Sequence, residues 1–477
     1  MNFEAIIGLE IHVQMKTKSK MFSASPVTYG AYPNFETTPL DFAFPGTMPI
    51  VNEQAIINGI RVAHALNMKI DNELHFDRKN YFYSDLPKGY QITQNERPIG
   101  YDGYVDIETE DGVRRINVER IHLEEDTCKQ LHFNDYTLVD YNRAGIPLAE
   151  IVTKPDIRSG LEAQKYVETI RSIVQFLDVS DGKMEEGSLR CDVNISLRPF
   201  GSDKFGKKVE IKNLNSTANI RLAIEYEISR QTTLLLTGQS VEQETRRFDE
   251  ERKETVLMRK KTDAVDYKYF KEPNIPPIKL SDEFIKHAIE TSNELASSKE
   301  KRYLAAGLNA YDASLLIANR EVSMYFDEAY KNCKNPKVLA NWINVDVLAI
   351  LNKDEIGIED FYISASNLAK LVNLIEDKVI SNKQARDVFA RMLRRDEDPS
   401  KIVESMGLVM ISDEGELLKI INEVLDNNAQ SIADYKNGKD RALGYLLGQV
   451  MKVSKGKANP SLCSSIILKE IAKRWEF

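Results

Sequence analysis

At 477 residues the chain is too long for one hydrophobic core, and about two to four domains are expected. Apolar residues make up 42% and charged residues 29%, a globular balance that excludes wholesale disorder. The net charge of −9 excludes adhesion to nucleic acid by overall charge and leaves that task to a local basic patch. Cys128, Cys191, Cys333 and Cys463 fall into no paired spacing, which fits free thiols in a reducing cytosol and excludes a Cys-only zinc site. Glu4 and Glu10 interrupt the apolar N-terminal stretch, so it is not a signal peptide. No run approaches the ~18–20 apolar residues of a membrane span. A soluble, cytoplasmic protein without a membrane partner is expected.

Along the chain, Ile7, Leu9, Ile11 and Val13 alternate with polar residues, so a first strand is expected to carry Glu10, His12 and Gln14 on one face. A helix follows, with Ile56, Ile60, Ala63 and Leu66 on one stripe. In DRKNYFYSDLPKGYQITQ (77–94), Arg78, Lys79 and Lys88 are interleaved with Tyr81, Tyr83 and Tyr90, a pattern that can bind ATP or a terminal nucleotide of RNA. Asp111-Gly112 marks a hairpin between two strands, the second of which puts Arg120, His122 and Glu124 on its polar side. The acids Glu124, Glu125 and Asp126 repel one another unless solvated or bound to a cation. VDYNRAGIPLAEIV (139–152) adds Asn142, Arg143 and Glu150, and residues 160–178 read as a helix.

The clearest strand signal is SLRCDVNISLR (188–198), whose polar face presents Arg190, Asp192, Asn194, Ser196 and Arg198. Arg, Asp and Asn in that order suit phosphate, metal and amide contacts. VEIKNLNS (209–216) adds Glu210 and Lys212 on one face. Strands and helices do not alternate regularly enough for βαβ units, so the fold class is α+β with an antiparallel sheet. KEPNIPPIKL (271–280) breaks regular structure, and helical patterns dominate after it. The expected domains are 1–293, 294–407 and 408–477. Residues 435–477 carry nine Lys/Arg against three acids, with Lys452, Lys455 and Lys457 flanking Gly456, a pattern that suits RNA phosphates as well as a solvated helical face.

Each of these faces, taken alone, also fits a solvated strand. Together they point to metal-assisted phosphoryl transfer as the simplest chemistry needing all of them. The Walker loop, GxGxxG and GxSxG are absent, so an ATP site here is not a P-loop.

IGLEIHVQ (7–14), DRKNYFYSDLPKGYQITQ, HLEED (122–126), VDYNRAGIPLAEIV, MEEGSLRCDVNISLRP (184–199), VEIKNLNS, QETRRFDE (243–250), DYKYFKEPNIPP (266–277) and KGKANP (455–460) closely resemble the B subunit of bacterial aspartyl/glutamyl-tRNA amidotransferases, in the same order and over nearly the whole chain. The resemblance implies a cradle-like catalytic domain, a helical domain and a small tail domain that meets tRNA. It implies ATP- and Mg²⁺-dependent phosphorylation of the side-chain carboxylate of glutamate or aspartate misacylated on tRNA. Amidation then uses ammonia from an amidase-type A subunit, in a complex with a small C subunit. The resemblance puts Glu10, His12 and Glu124 near the magnesium, with Glu125 and Glu150 as further ligands. Lys79, Lys88, Arg190 and Asp192 act on phosphates or ammonia, Tyr81 and Tyr83 wall the pocket, and Asn194 and Lys212 complete the nucleotide contacts.

Many such relatives carry two cysteine pairs that bind zinc near residues 23–41. Here Ser23, Ser25, Thr38 and Asp41 stand there instead, a poor donor set, and no zinc is expected. Two other readings stay open: a metal-dependent hydrolase using Glu10 and Glu124, and a non-catalytic tRNA-binding scaffold.

Overall fold

The computed structural model describes residues 2–260, 266–408, 413–436, 438–454 and 456–474. It divides into two compact units, Met1–Ala296 and Ser297–Phe477. In the first, β1 (Phe3–Gln14) and α1 (Glu53–Ala65) precede the short strands β2 (Lys69–Ile70), β3 (Glu73–Leu74), β4 (Asp77–Asn80) and β5 (Tyr90–Thr93). The long hairpin β6 (Gly100–Thr109) and β7 (Gly112–Glu125) leads through a small one, β8 (Lys129–His132) and β9 (Thr137–Asp140), to β10 (Pro147–Thr153). Then come α2 (Gly160–Phe176), β11 (Leu189–Pro199), β12 (Val209–Lys212), α3 (Thr217–Leu236), β13 (Glu244–Asp249), β14 (Glu254–Lys260) and α4 (Asp282–Glu290).

Among the described residues nine strands form one sheet in the order β14-β13-β12-β11-β1-β10-β7-β6-β2. The alternation seen in the sequence decides its two faces. Leu9, Ile11, Val13, Ala149, Ile151, Ile121, Leu123, Cys191 and Val193 are all buried and pack with Ile56 and Ile60 of α1, Val167 and Ile170 of α2 and Ile220 of α3. Full burial of such a side chain contributes about 1.5–3 kcal/mol, so one face of the sheet is committed to the core. The helices start where Asn52, Ser159 and Ser216 accept a backbone N–H from Ala55, Glu162 and Asn219. The sheet is antiparallel around β1, and β12 to β13 is a parallel step that α3 bridges. Close packing of β6 on the end of α1 depends on Gly103, where an added Cβ would lie 2.4 Å from the Leu66 carbonyl oxygen.

The second unit is helical among its described residues, and it holds two hydrophobic clusters. One runs from Tyr303 to Val403 around Phe326, Ile343, Leu368 and Val388, the other from Leu417 to Ile471 around Ile421, Leu446 and Ile467. No helix among the described residues is long and apolar enough to cross a membrane.

Candidate active site

Strand register builds the site. On the face of the sheet turned away from the core, His12 of β1 lies opposite Glu150 of β10 on one side and Arg190 of β11 on the other, and Glu150 lies opposite His122 of β7. One row along, Glu10 faces Asp192, with Val152 on its other side. The side chains of one row stand about 5 Å apart, so four strands bring two imidazoles, a carboxylate and a guanidinium into one line.

The His12 Nε2 atom is 3.5 Å from Glu150 Oε2 and 3.8 Å from Glu124 Oε1. His122 Nε2 is 2.9 Å from the same Glu150 oxygen and 3.6 Å from Glu124 Oε2. Ligand atoms of His12, Glu124 and Glu150 all lie within 4.8 Å of one another, a spacing that can hold a metal ion. Burial opposes charge on His122, but the Glu150 and Glu124 carboxylates outweigh it and push its pKa up to about 9. His12 is raised by the same two carboxylates against the same opposition. Glu150, although burial acts the other way, is held well below the usual carboxylate range by His122 and His12.

The acidic triplet is not a solvated strand end. Glu124, Glu125 and Asp126 are all buried, and alternation sends them to different partners. Glu124 accepts from Thr93 Oγ1 at 3.3 Å besides facing the imidazoles. Glu125 takes the Lys88 ammonium and the Ile92 N–H. Asp126 holds Arg190 at 3.0 Å, Gln14 at 2.8 Å and the Arg143 Nε at 3.8 Å, and Arg190 and Arg143 keep its pKa low against its burial.

Above this face lies a cavity of about 770 Å³ lined by His12, Lys79, Tyr81, Glu124, Arg190, Asp192 and Lys212. Lys212 is paired with Asp192 at 2.6 Å and Glu210 at 3.4 Å. Lys79 has no salt bridge among the described residues, and its ammonium sits 4.9 Å from the Tyr267 ring centroid and 6.0 Å from that of Tyr81. Burial would discharge Lys79, yet Glu124 and Glu150 raise its pKa, so it stays cationic. Tyr81 donates to Gln91 Oε1 at 3.3 Å.

The structure therefore brings together His12, Glu124, Glu150, Lys79, Tyr81, Arg190, Asp192 and Lys212. Glu10 is not in the three-residue cluster, because its Oε1 accepts from Asn194 Nδ2 at 2.8 Å one row away, beside a second cavity. Glu125 is taken up by Lys88, and both line a small crevice together with Asp41 and Gly145. Tyr83 is 64% exposed and does not line the large cavity. Lys452 is exposed, Lys457 is half-buried, and Lys455 lies outside the described residues. Sequence reasoning named neither His122 nor Asp126 as a site residue. His122 stands two positions before Glu124 on the same strand face, and that spacing was the available signal.

Ser23, Ser25, Thr38 and Asp41 do meet, but with the first three as hydrogen-bond donors around the Asp41 carboxylate. Ser23 Oγ donates to Asp41 Oδ1 at 2.9 Å, and Ser25 Oγ, Thr38 N and Thr38 Oγ1 donate to Oδ2 at 2.5, 2.7 and 3.0 Å. The Lys20 ammonium, 3.6 Å from Oδ2, fills the remaining side and donates to the Tyr141 carbonyl. A resident ammonium and hydroxyls turned inward as donors do not fit a zinc ion.

Carboxylates and imidazoles on one sheet face, with the Lys79 ammonium of β4 beside them and in no salt bridge among the described residues, form a candidate catalytic centre. Residues 5–286 match the family described as the GatB/GatE catalytic domain, and residues 324–471 match the GatB domain. The chain belongs to this family. It is 49% identical over 475 residues to the B subunit of the aspartyl/glutamyl-tRNA(Asn/Gln) amidotransferase of Lysinibacillus sphaericus, covering 99% of this chain and all of the relative. It is 50% identical to the proteins of that description from Geobacillus thermodenitrificans, over 476 residues, and Staphylococcus aureus, over 475, with the same coverage.

Proposed function

We propose that the chain is the B subunit of a tRNA-dependent amidotransferase. In this reading it phosphorylates the side-chain carboxylate of glutamate on tRNA(Gln), of aspartate on tRNA(Asn), or of both, with ATP. Ammonia from the glutaminase activity of an amidase-type A subunit, in a complex with a small C subunit, then replaces the phosphate. The observation that carries this reading is the cluster of His12, Glu124 and Glu150 beside the unpaired cation of Lys79, in a cavity wide enough for a nucleotide and an aminoacyl end.

A carboxylate is a poor acyl donor because oxide is a poor leaving group. One of its oxygens attacks the terminal phosphorus of ATP, the bond to the bridging oxygen breaks and ADP leaves. Ammonia then adds to the acyl carbon, phosphate departs, and a proton is lost from nitrogen. Glu124 and Glu150, with His12 direct or through water, would hold Mg²⁺, which prefers oxygen donors and neutralises phosphate charge when bound. Lys79 supplies a cation that no carboxylate has neutralised, so it is placed to stabilise the transferred group. Lys212 and Arg190, each tied to an aspartate, keep their orientation for the remaining phosphates. Tyr81 walls the cavity and limits water. Glu10 and Glu125 have no part in holding the ion, and no zinc is needed.

The test supplies each misacylated tRNA, with ATP and glutamine, to the reconstituted complex and follows acyl phosphate and amide. Glu124→Gln and Glu150→Gln are each expected to slow phosphorylation by about 10²–10³-fold, the scale of losing one electrostatic contact to a transition state. Full activity in both variants would remove the metal assignment. tRNA binding without any phosphoryl transfer by the wild type would make the chain a scaffold, and ATP-independent hydrolysis would make it a hydrolase.

A further inference from the structure

Among the described residues six carboxylates line the large cavity. Four of them have partners: Asp192 holds Lys212, Asp126 holds Arg190, Glu186 holds Lys183 at 2.8 Å, and Glu124 faces both imidazoles. A fifth, Glu185, is exposed to solvent. Asp85 is different. Its Oδ1 is buried without a hydrogen-bond partner, and it enters no salt bridge among the described residues. The backbone around it is nevertheless fixed. The Tyr81 N–H donates to the Gly89 carbonyl at 3.2 Å and closes the loop between β4 and β5, and the Cys128 N–H donates to the Asp85 carbonyl at 3.0 Å. Gln130 holds the neighbouring Ser84 hydroxyl. Burial raises the Tyr81 pKa and Asp85 adds the largest charge effect, so these two side chains share one stretch of the cavity wall. A clamped loop thus presents a buried charged acceptor with no donor, an arrangement that is costly unless a ligand supplies one.

A cation that also donates hydrogen bonds suits a buried carboxylate best. A metal ion is a poor occupant, because Asp85 belongs to no cluster of ligands among the described residues. Free ammonia is a poor one too, because it must be uncharged to attack an acyl carbon and a bare carboxylate would hold it as ammonium. The remaining cation belongs to the acceptor itself. Glutamate or aspartate joined to tRNA through its α-carboxyl group keeps two charges, the side-chain carboxylate that is phosphorylated and an α-ammonium. We infer that Asp85 receives this α-ammonium and thereby decides which esters the cavity accepts. The side-chain carboxylate is then directed to Lys79 and the ion, while the opposite charge is turned to Asp85. This assignment rests on the reading of the cavity as the site that phosphorylates a tRNA-bound side chain. An ester whose nitrogen is acylated, as in a peptidyl chain, carries no charge there and leaves Asp85 buried and unpaired. Sites built on such a buried polar group reject the analogue that lacks its partner.

The experiment gives the reconstituted complex, with ATP and Mg²⁺, either Glu-tRNA(Gln) or the same tRNA acylated with glutarate, which lacks only the amino group. Asp-tRNA(Asn) and its succinyl counterpart form a second pair. The ratio of kcat/KM for ADP release with the two esters is measured in the wild type, in Asp85→Asn and in Asp85→Ser. The wild type is expected to prefer the aminoacyl ester by about 10–100-fold, the scale of a hydrogen bond between charged groups, and the preference is expected to fall below about 3-fold in both variants. Because the ratio is taken within one protein, a loss of folded or active enzyme cancels from it. Equal use of both esters by the wild type, or an undiminished preference in both variants, overturns the α-ammonium assignment and leaves the phosphoryl site standing. Wild-type preference in variants that slow only amidation with added ammonium chloride overturns it too, and gives Asp85 to the ammonia step. No ADP release by the wild type with any of the esters defeats the proposed function as well.

Discussion

Replacing Asp41 by alanine strands the Lys20 ammonium, whose side chain has no solvent exposure. Desolvation lowers the Lys20 pKa, with Asp41 the largest opposing influence. After the substitution Lys20 retains the Tyr141 carbonyl at 3.0 Å, while Ser23, Ser25 and Thr38 lose their shared acceptor. Removing one partner of a buried pair costs about 3–5 kcal/mol, roughly a fifth or more of a typical domain's stability. Both tryptophans, Trp342 and Trp475, come after this unit in the sequence, so neither is a probe within it. Hydrogen exchange of peptides covering residues 16–52 reports the loss directly, and exchange there is expected to accelerate by at least 10²-fold. Lys20→Met combined with Asp41→Asn removes both charges and keeps an acceptor for Ser23, Ser25 and Thr38, and it should recover much of the protection. Unchanged exchange in Asp41→Ala would show that this network does not hold the segment. Stoichiometric zinc in the purified wild type would refute the network's metal independence.

Glu227 is fully buried between Arg230 and Arg246, and Arg230 together with the Thr255 and Gln231 donors keeps its pKa below the ordinary 4.5 against the effect of burial. A depressed carboxylate contributes stability above its unfolded pKa and loses it as pH falls through the folded one, so Glu227→Gln should flatten the acid limb of a melting-temperature profile below about pH 4.5. Gly103→Ala forces a methyl against the Leu66 carbonyl and the Met68 side chain, and a loss of about 1–3 kcal/mol is expected in urea unfolding. Lys452→Glu with Lys457→Glu should weaken tRNA binding and lower the slope of log K against log salt by about 1–2 in filter binding. An unchanged slope would exclude phosphate contacts at that loop.

The faces of β1, β7 and β11 were readable from alternation, because a period of two leaves no freedom about which side each residue takes. His12 and Glu124 were thus assigned to polar faces correctly. The order of the strands was not readable, since nothing in IGLEIHVQ says that LAEIV will lie on one side and LRCDV on the other. That order separates Glu10 from the cluster: its neighbour across β10 is Val152, whereas that of His12 is Glu150. The triplet at 124–126 misled for a related reason. Its three charges look mutually repulsive in a line, but Lys88, Arg190 and Arg143, each more than fifteen residues away, separate and neutralise them. The Lys20–Asp41 pair left no periodic trace, because irregular backbone carries none.

β1 lies at the middle of the sheet, and its consequence is one of assembly. His12 meets Glu150 across 138 residues of chain and Arg190 across 178. A phosphate loop of the Walker type is a local object that survives in a short strand–turn–helix fragment. Here no fragment shorter than the 179 residues from His12 to Arg190 contains even the first row of the site. On the proposed function, nucleotide and cation binding would therefore report completed topology, and a kinetically trapped chain with correct helices but a displaced first strand would be catalytically silent. The same long-range closure makes this chemistry hard to graft. Transplanting the motif means transplanting the whole sheet.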